Sequence, residues 1–536
     1  NYVLQEIPEG GVHKKIKPTL CFQEDEIKVY DCMEIISGFV SVEIKPTTDE
    51  TITIRYSEDL ENNRVKHNVA NEHSEYYKDI FVVKKNQTIT LKADFTYKAF
   101  RYFEVVSKTS NIRVTAYKAG TRINLLGDLY SNSNKEINQL FTMFDNTQKN
   151  NILGLLVDCP HREQAQYLGD SALQAESIIY NVAERKSLLD KVIADFAHSQ
   201  YEDGTFPFVA PGTTDGDEFG LKIPEYDLYF IELIYKRYLI DFDRSIIEKN
   251  KLNITRLIDQ YINKIDHTGL VRKNSDWHIS DWPYPSVDES GDYLAFENML
   301  LYKSLQMLSV MKANKPYQEQ YDSVMKFLRK SIIKHFKANR LFKDSENSLN
   351  AHQGIQAYAL SCGLFETSEV DYALRYIIDQ KVASSIILSR TVLEVLFKYH
   401  KIDEALSYIF DFEKGWGNVI RNNSLTMWEG FDDIESHSHA WGLYPIKYIQ
   451  AYVLGIKFDE TVKNKVLINP RPTKRINDLS GSVVTEMGVL SFSYTIIKDE
   501  ISFSFDIPSG LQVEFVYYDT KQILAGKGNF KLETQC

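Results

Sequence analysis

Val157-Asp158-Cys159-Pro160-His161-Arg162-Glu163-Gln164-Ala165-Gln166-Tyr167-Leu168-Gly169-Asp170 is the stretch around which this chain is organised. Three carboxylates, an arginine and a tyrosine fall within fourteen residues. An apolar run, Ile152 to Val157, precedes them, and a helical pattern with Leu173, Ile178, Ile179 and Val182 follows. The polar cluster therefore sits at a break between two buried elements, where a rigid base carries a loop that faces a cavity. Acids this close repel one another, and with partial burial one pKa rises. That is how a carboxyl becomes a proton donor near neutral pH. A plainer reading stands beside it: Asp170 N-caps the following helix, and Arg162 neutralises Asp158 in a buried ion pair.

Upstream of this stretch, residues 1–125 read as β structure. Period-2 alternation marks Val40–Ile44, Thr51–Tyr56, Thr88–Leu91 and Phe103–Val105, which predicts a β-sandwich. Residues 126–135 hold Gly127, Asp128, Ser131, Asn132, Ser133 and Asn134 and read as a turn-rich linker. Downstream, helical periodicity dominates to about residue 455, as in Leu228–Leu239, Ala295–Met311, Val392–Tyr399 and Ala405–Phe412. No fixed-length repeat is found, which favours a closed α/α toroid over a solenoid. From residue 458 the pattern returns to strands, at Val466–Ile468, Gly488–Phe492, Ile501–Phe505 and Val513–Val516. The expected division is therefore 1–125, an N-terminal β-sandwich domain; 126–456, a helical toroid domain; and 457–536, a C-terminal β-domain.

A chain of 536 residues exceeds one core. With 43% hydrophobic and 25% charged residues its composition is that of an ordinary globular protein. The net charge of −12, with no basic block, argues against nucleic acid as a partner. Five cysteines, at 21, 32, 159, 362 and 536, show no paired spacing and do not make a disulfide framework. No apolar run is long enough to span a membrane, and no signal peptide is visible, so the reading is cytoplasmic. Secretion stays open, because the chain starts at Asn1 rather than Met.

Asp158-Cys159-Pro160-His161-Arg162-Glu163 followed by Tyr167-Leu168-Gly169-Asp170 resembles the signature of bacterial α-L-rhamnosidases, glycoside hydrolase family 78. Phe100-Arg101-Tyr102-Phe103-Glu104-Val105 is similar to the strand that precedes the family's catalytic domain. The resemblance implies an (α/α)6 barrel between two β-domains. It also implies an exo-acting hydrolase that removes terminal α-L-rhamnose by inversion, using two carboxylates and no cofactor or metal. Glu163 then matches the general acid. Glu429, in Thr426-Met427-Trp428-Glu429-Gly430, matches the general base, with Trp428 beside it as a sugar-facing plane. Asp158, Arg162 and Asp170 would bind hydroxyls and hold the proton of Glu163, while Tyr167 and Trp282 would pack on the sugar. His439, in Ser436-His437-Ser438-His439-Ala440-Trp441-Gly442, matches a histidine that bonds hydroxyls. His437 and His439 at i and i+2 lack a third ligand and are discounted as a metal site. Two Asp-Trp pairs, Asp276-Trp277 and Asp281-Trp282, compete for the wall position.

Tyr167 stands where many members carry Trp, and Ile223-Pro224-Glu225-Tyr226-Asp227 stands near another expected Trp, which leaves the sugar and aglycone preference open. The implied partner is a rhamnosylated small molecule or oligosaccharide, with no membrane and with a homodimer left open. Two alternatives remain: a same-fold hydrolase or lyase acting on a different sugar, and a non-catalytic carbohydrate-binding or scaffold protein. The acid-rich site would repel the uronates a lyase needs.

Overall fold

The computed structural model describes residues 6–66, 77–211, 222–284, 287–312, 318–432 and 436–533; Cys536 lies outside them. The alternating segments form the expected strands. Val40–Ile44 ends an 18-residue strand, Ile27–Ile44, and Thr51–Tyr56 lies in Glu50–Ser57. Thr88–Leu91 shortens to Ile89–Leu91. Ile27–Ile44 bends where Met33 takes φ 65° and the register with Lys98–Val106 shifts, so one strand wraps around the N-terminal core. That core holds Val42, Ile52, Ile54, Phe100, Phe103 and Val105. Lys98–Val106 is a central strand between Ile27–Ile44 and Glu50–Ser57. Arg101 on it is not free in solvent: its Nε and Nη2 donate to the two Asp31 oxygens at 3.0 and 3.1 Å.

The turn-rich segment differs from expectation. Asp128–Tyr130 within it is a strand, antiparallel to Ser480–Ser482 of the C-terminal domain. The remaining turn residues secure that tether. Asp478 accepts from the N–H groups of Asn132 at 2.7 Å and Ser133 at 2.8 Å, and Asn134 caps the helix Lys135–Asn151.

Among the described residues six helices form the inner ring: α1 Leu168–Asn181, α2 Pro224–Asp241, α3 Ala295–Met311, α4 Gln353–Ser361, α5 Ile386–Lys398 and α6 Pro445–Tyr448. Each packs on the next and α6 packs on α1, which closes the toroid. Their sequences explain the placement. In α1, 13 of 14 residues are buried, so the helix has no solvent face. The outer helix Lys251–Asn263 instead buries only Ile254, Leu257, Ile258 and Tyr261, one stripe at 3–4 residue spacing. Pro224 starts α2 at its first position, where no intrahelical N–H is lost, and Phe242 ends it in the left-handed region. The predicted helix Ala405–Phe412 is observed slightly earlier, at Ile402–Ile409.

The C-terminal domain is a sandwich of a five-stranded and a four-stranded sheet. Phe503 and Phe515 meet between them with ring centroids 5.1 Å apart. Among the described residues no helix is long and apolar enough to cross a membrane.

Candidate active site

The signature stretch is a loop pinned at its base. Asp158 N–H donates to the Ala165 carbonyl at 2.9 Å, and Ala165 N–H returns a bond to Asp158 Oδ1 at 3.1 Å. Gln164 turns the chain back with φ 55°. Asn151 Nδ2 holds the Asp158 carbonyl from below at 2.7 Å. Arg162 and Glu163 are thereby presented at the tip, on the side where the inner helices begin.

The second carboxylate comes from a segment fixed just as tightly. Glu429 N–H donates to the Ser436 carbonyl at 2.9 Å, Trp441 Nε1 donates to the Glu429 carbonyl at 3.0 Å, and Met427 N–H donates to Thr147 Oγ1 at 2.8 Å. Arg162 then joins the two acids. Its Nη2 lies 3.2 Å from Glu163 Oε2 and 3.1 Å from Glu429 Oε2. Two residues 266 positions apart thus share one guanidinium nitrogen. The other Glu429 oxygen accepts from Trp282 Nε1 at 3.0 Å. Trp277 meets Trp282 edge to face, with centroids 5.6 Å apart, so both competing tryptophans line one wall; the one bonded to the base is Trp282. Trp428 does not supply the expected sugar plane. It is buried, bonds Ser424 Oγ through Nε1 at 3.0 Å and packs on His437.

Asp170 lies in the first turn of α1 behind Tyr167, the N-cap residue, so it is not the cap. Its oxygens accept from His439 Nε2 at 2.9 Å and from the Tyr226 hydroxyl at 3.3 Å. Gly169 makes room for this contact, since a Cβ there would stand 2.7 Å from the Tyr226 ring. Tyr167 is partly buried and packs against Phe208. Asp158, Arg162, Glu163, Tyr167, Asp170, Trp282, Glu429 and His439 are therefore gathered where the inner helices begin. Arg162 does not form the plain ion pair with Asp158; it pairs with the two glutamates.

The electrostatics assign the proton differently from expectation. Asp158 is the carboxyl that is raised, well above the carboxylate range, by full burial and then by the charge of nearby Glu163. Its Oδ2 meets no donor among the described residues, as suits an oxygen that carries its own proton. Burial pushes Glu163 upward too, but the hydrogen bond from Asp158 and the Arg162 charge outweigh it and hold Glu163 down to about 2. Exposure separates the two: the Glu163 side chain keeps 20% of its surface open, whereas Asp158 keeps 3%. The pair therefore titrates as one unit, with the proton on the inner member at rest. Cys159 adds a thiol donor to Glu163 Oε2 at 3.3 Å.

Sequence reasoning missed the contribution of the N-terminal domain. Glu58 Oε2 accepts the His437 N–H at 2.9 Å, two residues before His439. Burial raises the Glu58 carboxyl to about 7, against the opposing pull of the His437 charge. Tyr77 packs edge-on against His161 at 4.7 Å, and Asn150 Nδ2 reaches the Ile35 carbonyl at 2.9 Å. The β-domain thus backs the catalytic loops. Cys159, inside the signature, was within reach of a sequence reading; Glu58, 379 residues from its partner, was not.

Comparison with known proteins agrees with this architecture. Residues 129–453 match the bacterial α-L-rhamnosidase six-hairpin glycosidase domain, and residues 23–119 match the bacterial α-L-rhamnosidase concanavalin-like domain. An α-L-rhamnosidase of Alteromonas sp. (strain LOR) is 22% identical over 528 residues, covering 91% of this chain and 55% of the relative. The chain spans about half the length of the curated relatives it matches. The structure of native α-L-rhamnosidase from Aspergillus terreus superposes with a TM-score of 0.87 at 18% identity, over 99% of this chain and 64% of that one. The Streptomyces avermitilis α-L-rhamnosidase complexed with L-rhamnose gives 0.84 at 18% identity, over 99% and 54%. With its helical ring, both flanking β-domains and more than half its length under the six-hairpin domain, the protein belongs to the bacterial α-L-rhamnosidases, glycoside hydrolase family 78.

Proposed function

We propose that the chain is an exo-acting glycoside hydrolase that removes terminal α-L-rhamnosyl residues with inversion, from a rhamnosylated small molecule or oligosaccharide. The observation that carries this reading is the shared Arg162 Nη2, which brings Glu163 and Glu429 side by side. Glycoside hydrolysis asks for that pair: one carboxyl to protonate the departing oxygen, one to handle the opposite face of the sugar. The relatives' names and the L-rhamnose held by the Streptomyces protein support the choice of sugar. In this reading the domains divide at 125 and 456, and Asp128–Tyr130 of the middle domain joins the C-terminal sheet.

Glu163 is the acid. Its proton comes across the contact with Asp158, the inner store, as the glycosidic oxygen takes up charge at the exposed Glu163 oxygen. Glu429 is the base, aimed by Trp282 Nε1 and Arg162 and ready to take a proton from water on the far face of C1. Asp170, oriented by His439 and Tyr226, offers acceptor oxygens to sugar hydroxyls. Tyr167 and the Trp277–Trp282 pair provide apolar faces. Inverting pairs stand roughly 6.5–9.5 Å apart and retaining pairs about 5–5.5 Å. The two facing oxygens here are bridged by one nitrogen, so water must enter beside Arg162 for the base to act.

The test is release of p-nitrophenol from p-nitrophenyl α-L-rhamnopyranoside, run beside a panel of other p-nitrophenyl sugars. The reading expects cleavage of the rhamnoside, with Glu163→Gln and Glu429→Gln both impaired and both folded by circular dichroism. Cleavage of another sugar alone would replace the substrate. Activity that survives both substitutions would remove the pair from the chemistry.

A further inference from the structure

A second polar cluster lies behind the tryptophan wall and takes no part in the proposed chemistry. Glu225 belongs to the first turn of α2, Glu297 to the first turn of α3, and His278 to the loop between Trp277 and Trp282. All three are buried. His278 Nδ1 lies 2.8 Å from Glu225 Oε1 and 3.9 Å from Glu297 Oε2, and the three ligand atoms fall within 4.8 Å of one another.

The surrounding hydrogen bonds fix which atoms face inward. Asn274 Oδ1 accepts the Asp276 N–H at 3.0 Å while Asn274 Nδ2 donates to Asp276 Oδ2 at 2.6 Å, so the amide orientation is set. That oxygen is 3.1 Å from His278 Nε2, which therefore carries a hydrogen, while Nδ1 shares a second proton with Glu225 Oε1 at 2.8 Å, the proton a metal ion would displace. The other Glu225 oxygen accepts the Ile279 N–H at 3.2 Å. Glu297 Oε2 is 2% exposed by residue and has no hydrogen-bond donor among the described residues. Glu225 Oε1, His278 Nδ1 and Glu297 Oε2 thus converge in a buried pocket around one proton. A single proton on Nδ1 would serve Glu225 and leave Glu297 Oε2 bare.

We propose that Glu225 Oε1, His278 Nδ1 and Glu297 Oε2 bind one divalent transition-metal cation of the Zn2+ class. Once the Nδ1 proton is released, two carboxylates and a neutral imidazole bring the charge that a divalent ion cancels. Ligands about 2.0–2.1 Å from zinc in a tetrahedron stand roughly 3.3 Å from one another, and the 2.8 and 3.9 Å separations bracket that value. Asn274 on the far ring nitrogen and the Ile279 N–H on the far Glu225 oxygen are the outer partners that orient metal ligands. Calcium, which takes six to eight oxygens, and magnesium, which keeps several waters, fit a buried nitrogen-containing triad less well. The ion would tie the starts of α2 and α3 to the Trp277–Trp282 loop, and through Trp282 to Glu429. Its role is to position.

The full chain, stripped with a chelator and dialysed, is titrated with Zn2+ by calorimetry, with bound metal counted by mass spectrometry and melting followed with and without Zn2+. The expected result is one Zn2+ per chain, a higher Tm with Zn2+, and affinity at least tenfold weaker in Glu297→Gln. Glu163→Gln serves as control for the other cluster of ligating groups, Asp158, Cys159 and Glu163. Zn2+ binding lost in Glu163→Gln but kept in Glu297→Gln overturns the proposal, as does no saturable binding. Should Glu297→Gln fail to fold, Co2+ is added to the wild type: a visible band of four-coordinate cobalt together with shifted His278 resonances supports the site, and unchanged His278 resonances overturn it.

Discussion

The two ends of the helical ring both bury charge, and they balance it differently. Midway along the inner helices, on the way to the end where they finish, Glu176 and Glu232 face Lys236, Arg390 and Lys447. Lys236 lies 3.0 Å from Glu176 and 2.6 Å from Glu232, Arg390 binds Glu232 through both Nη atoms, and Lys447 binds Glu176. Burial would raise Glu176, but the Lys236 and Lys447 charges hold it far below the usual carboxylate range. At the end where the helices begin, Asp158, Glu163, Asp170 and Glu429 gather around Arg162 and His439, and one acid keeps its proton instead of finding a cation. A cavity of about 330 Å³ opens at the compensated end, walled by Glu176, Glu232, Arg390 and Lys447 and by Lys457 and Lys465 of the C-terminal domain. Room is therefore no guide to the chemistry here. An uncompensated acid cluster on pinned loops can store and move a proton, and a matched network cannot.

The contrast can be broken most sharply at the acid-rich end. Glu429→Gln should lower kcat by roughly 10²–10⁴-fold on any rhamnoside, because the base is needed whatever departs. Glu163→Gln should cost as much on an alkyl rhamnoside but much less on the p-nitrophenyl one, whose leaving group needs little protonation. Equal losses on both substrates would take the acid role from Glu163. At the compensated end, Arg390→Met strips Glu232 of a buried partner and should destabilise the fold by about 3–5 kcal/mol, read by denaturant unfolding, with kcat of the folded fraction unchanged. A matching loss of kcat would mean the two ends are coupled. Trp282→Phe removes one hydrogen bond from Glu429 and should cost about tenfold in kcat/KM.

The smallest effect is on pH dependence. The folded Asp158 carboxyl stands above its unfolded value, so folding takes up a proton. The stability it contributes is complete below about pH 4 and drains away as pH rises toward the folded value. Asn at this position has no proton to lose. The Tm of Asp158→Asn relative to wild type should therefore climb from pH 4 to pH 8; a flat difference would place the stored proton elsewhere.

Much of this was legible in the sequence because it is local. Asp158, Arg162, Glu163, Tyr167 and Asp170 lie in one loop and the next helical turn, so their spacing forces them together once the flanking runs are buried. The ring itself shows in helices such as Ala295–Met311, where apolar residues recur at helical spacing over seventeen residues. The illegible parts are set by distant pairing. Asp128–Tyr130 has three residues and no readable period, and it is a strand only because Ser480–Ser482 lies beside it. Glu58 reaches the site through the docking of a whole domain. Which carboxyl holds the proton depends on the burial of Asp158 relative to Glu163, and the loop's sequence carries the acids without their depth.

The central claim is that Glu163 and Glu429 work on opposite faces of the sugar, with water between base and C1. The most direct measurement is proton NMR of the anomeric signal during hydrolysis of p-nitrophenyl α-L-rhamnopyranoside, recorded before mutarotation equilibrates the product. The account predicts β-L-rhamnose first, with the α anomer growing in later. First appearance of α-L-rhamnose would show retention and contradict it, making the carboxylates bridged by Arg162 a nucleophile and an acid/base instead.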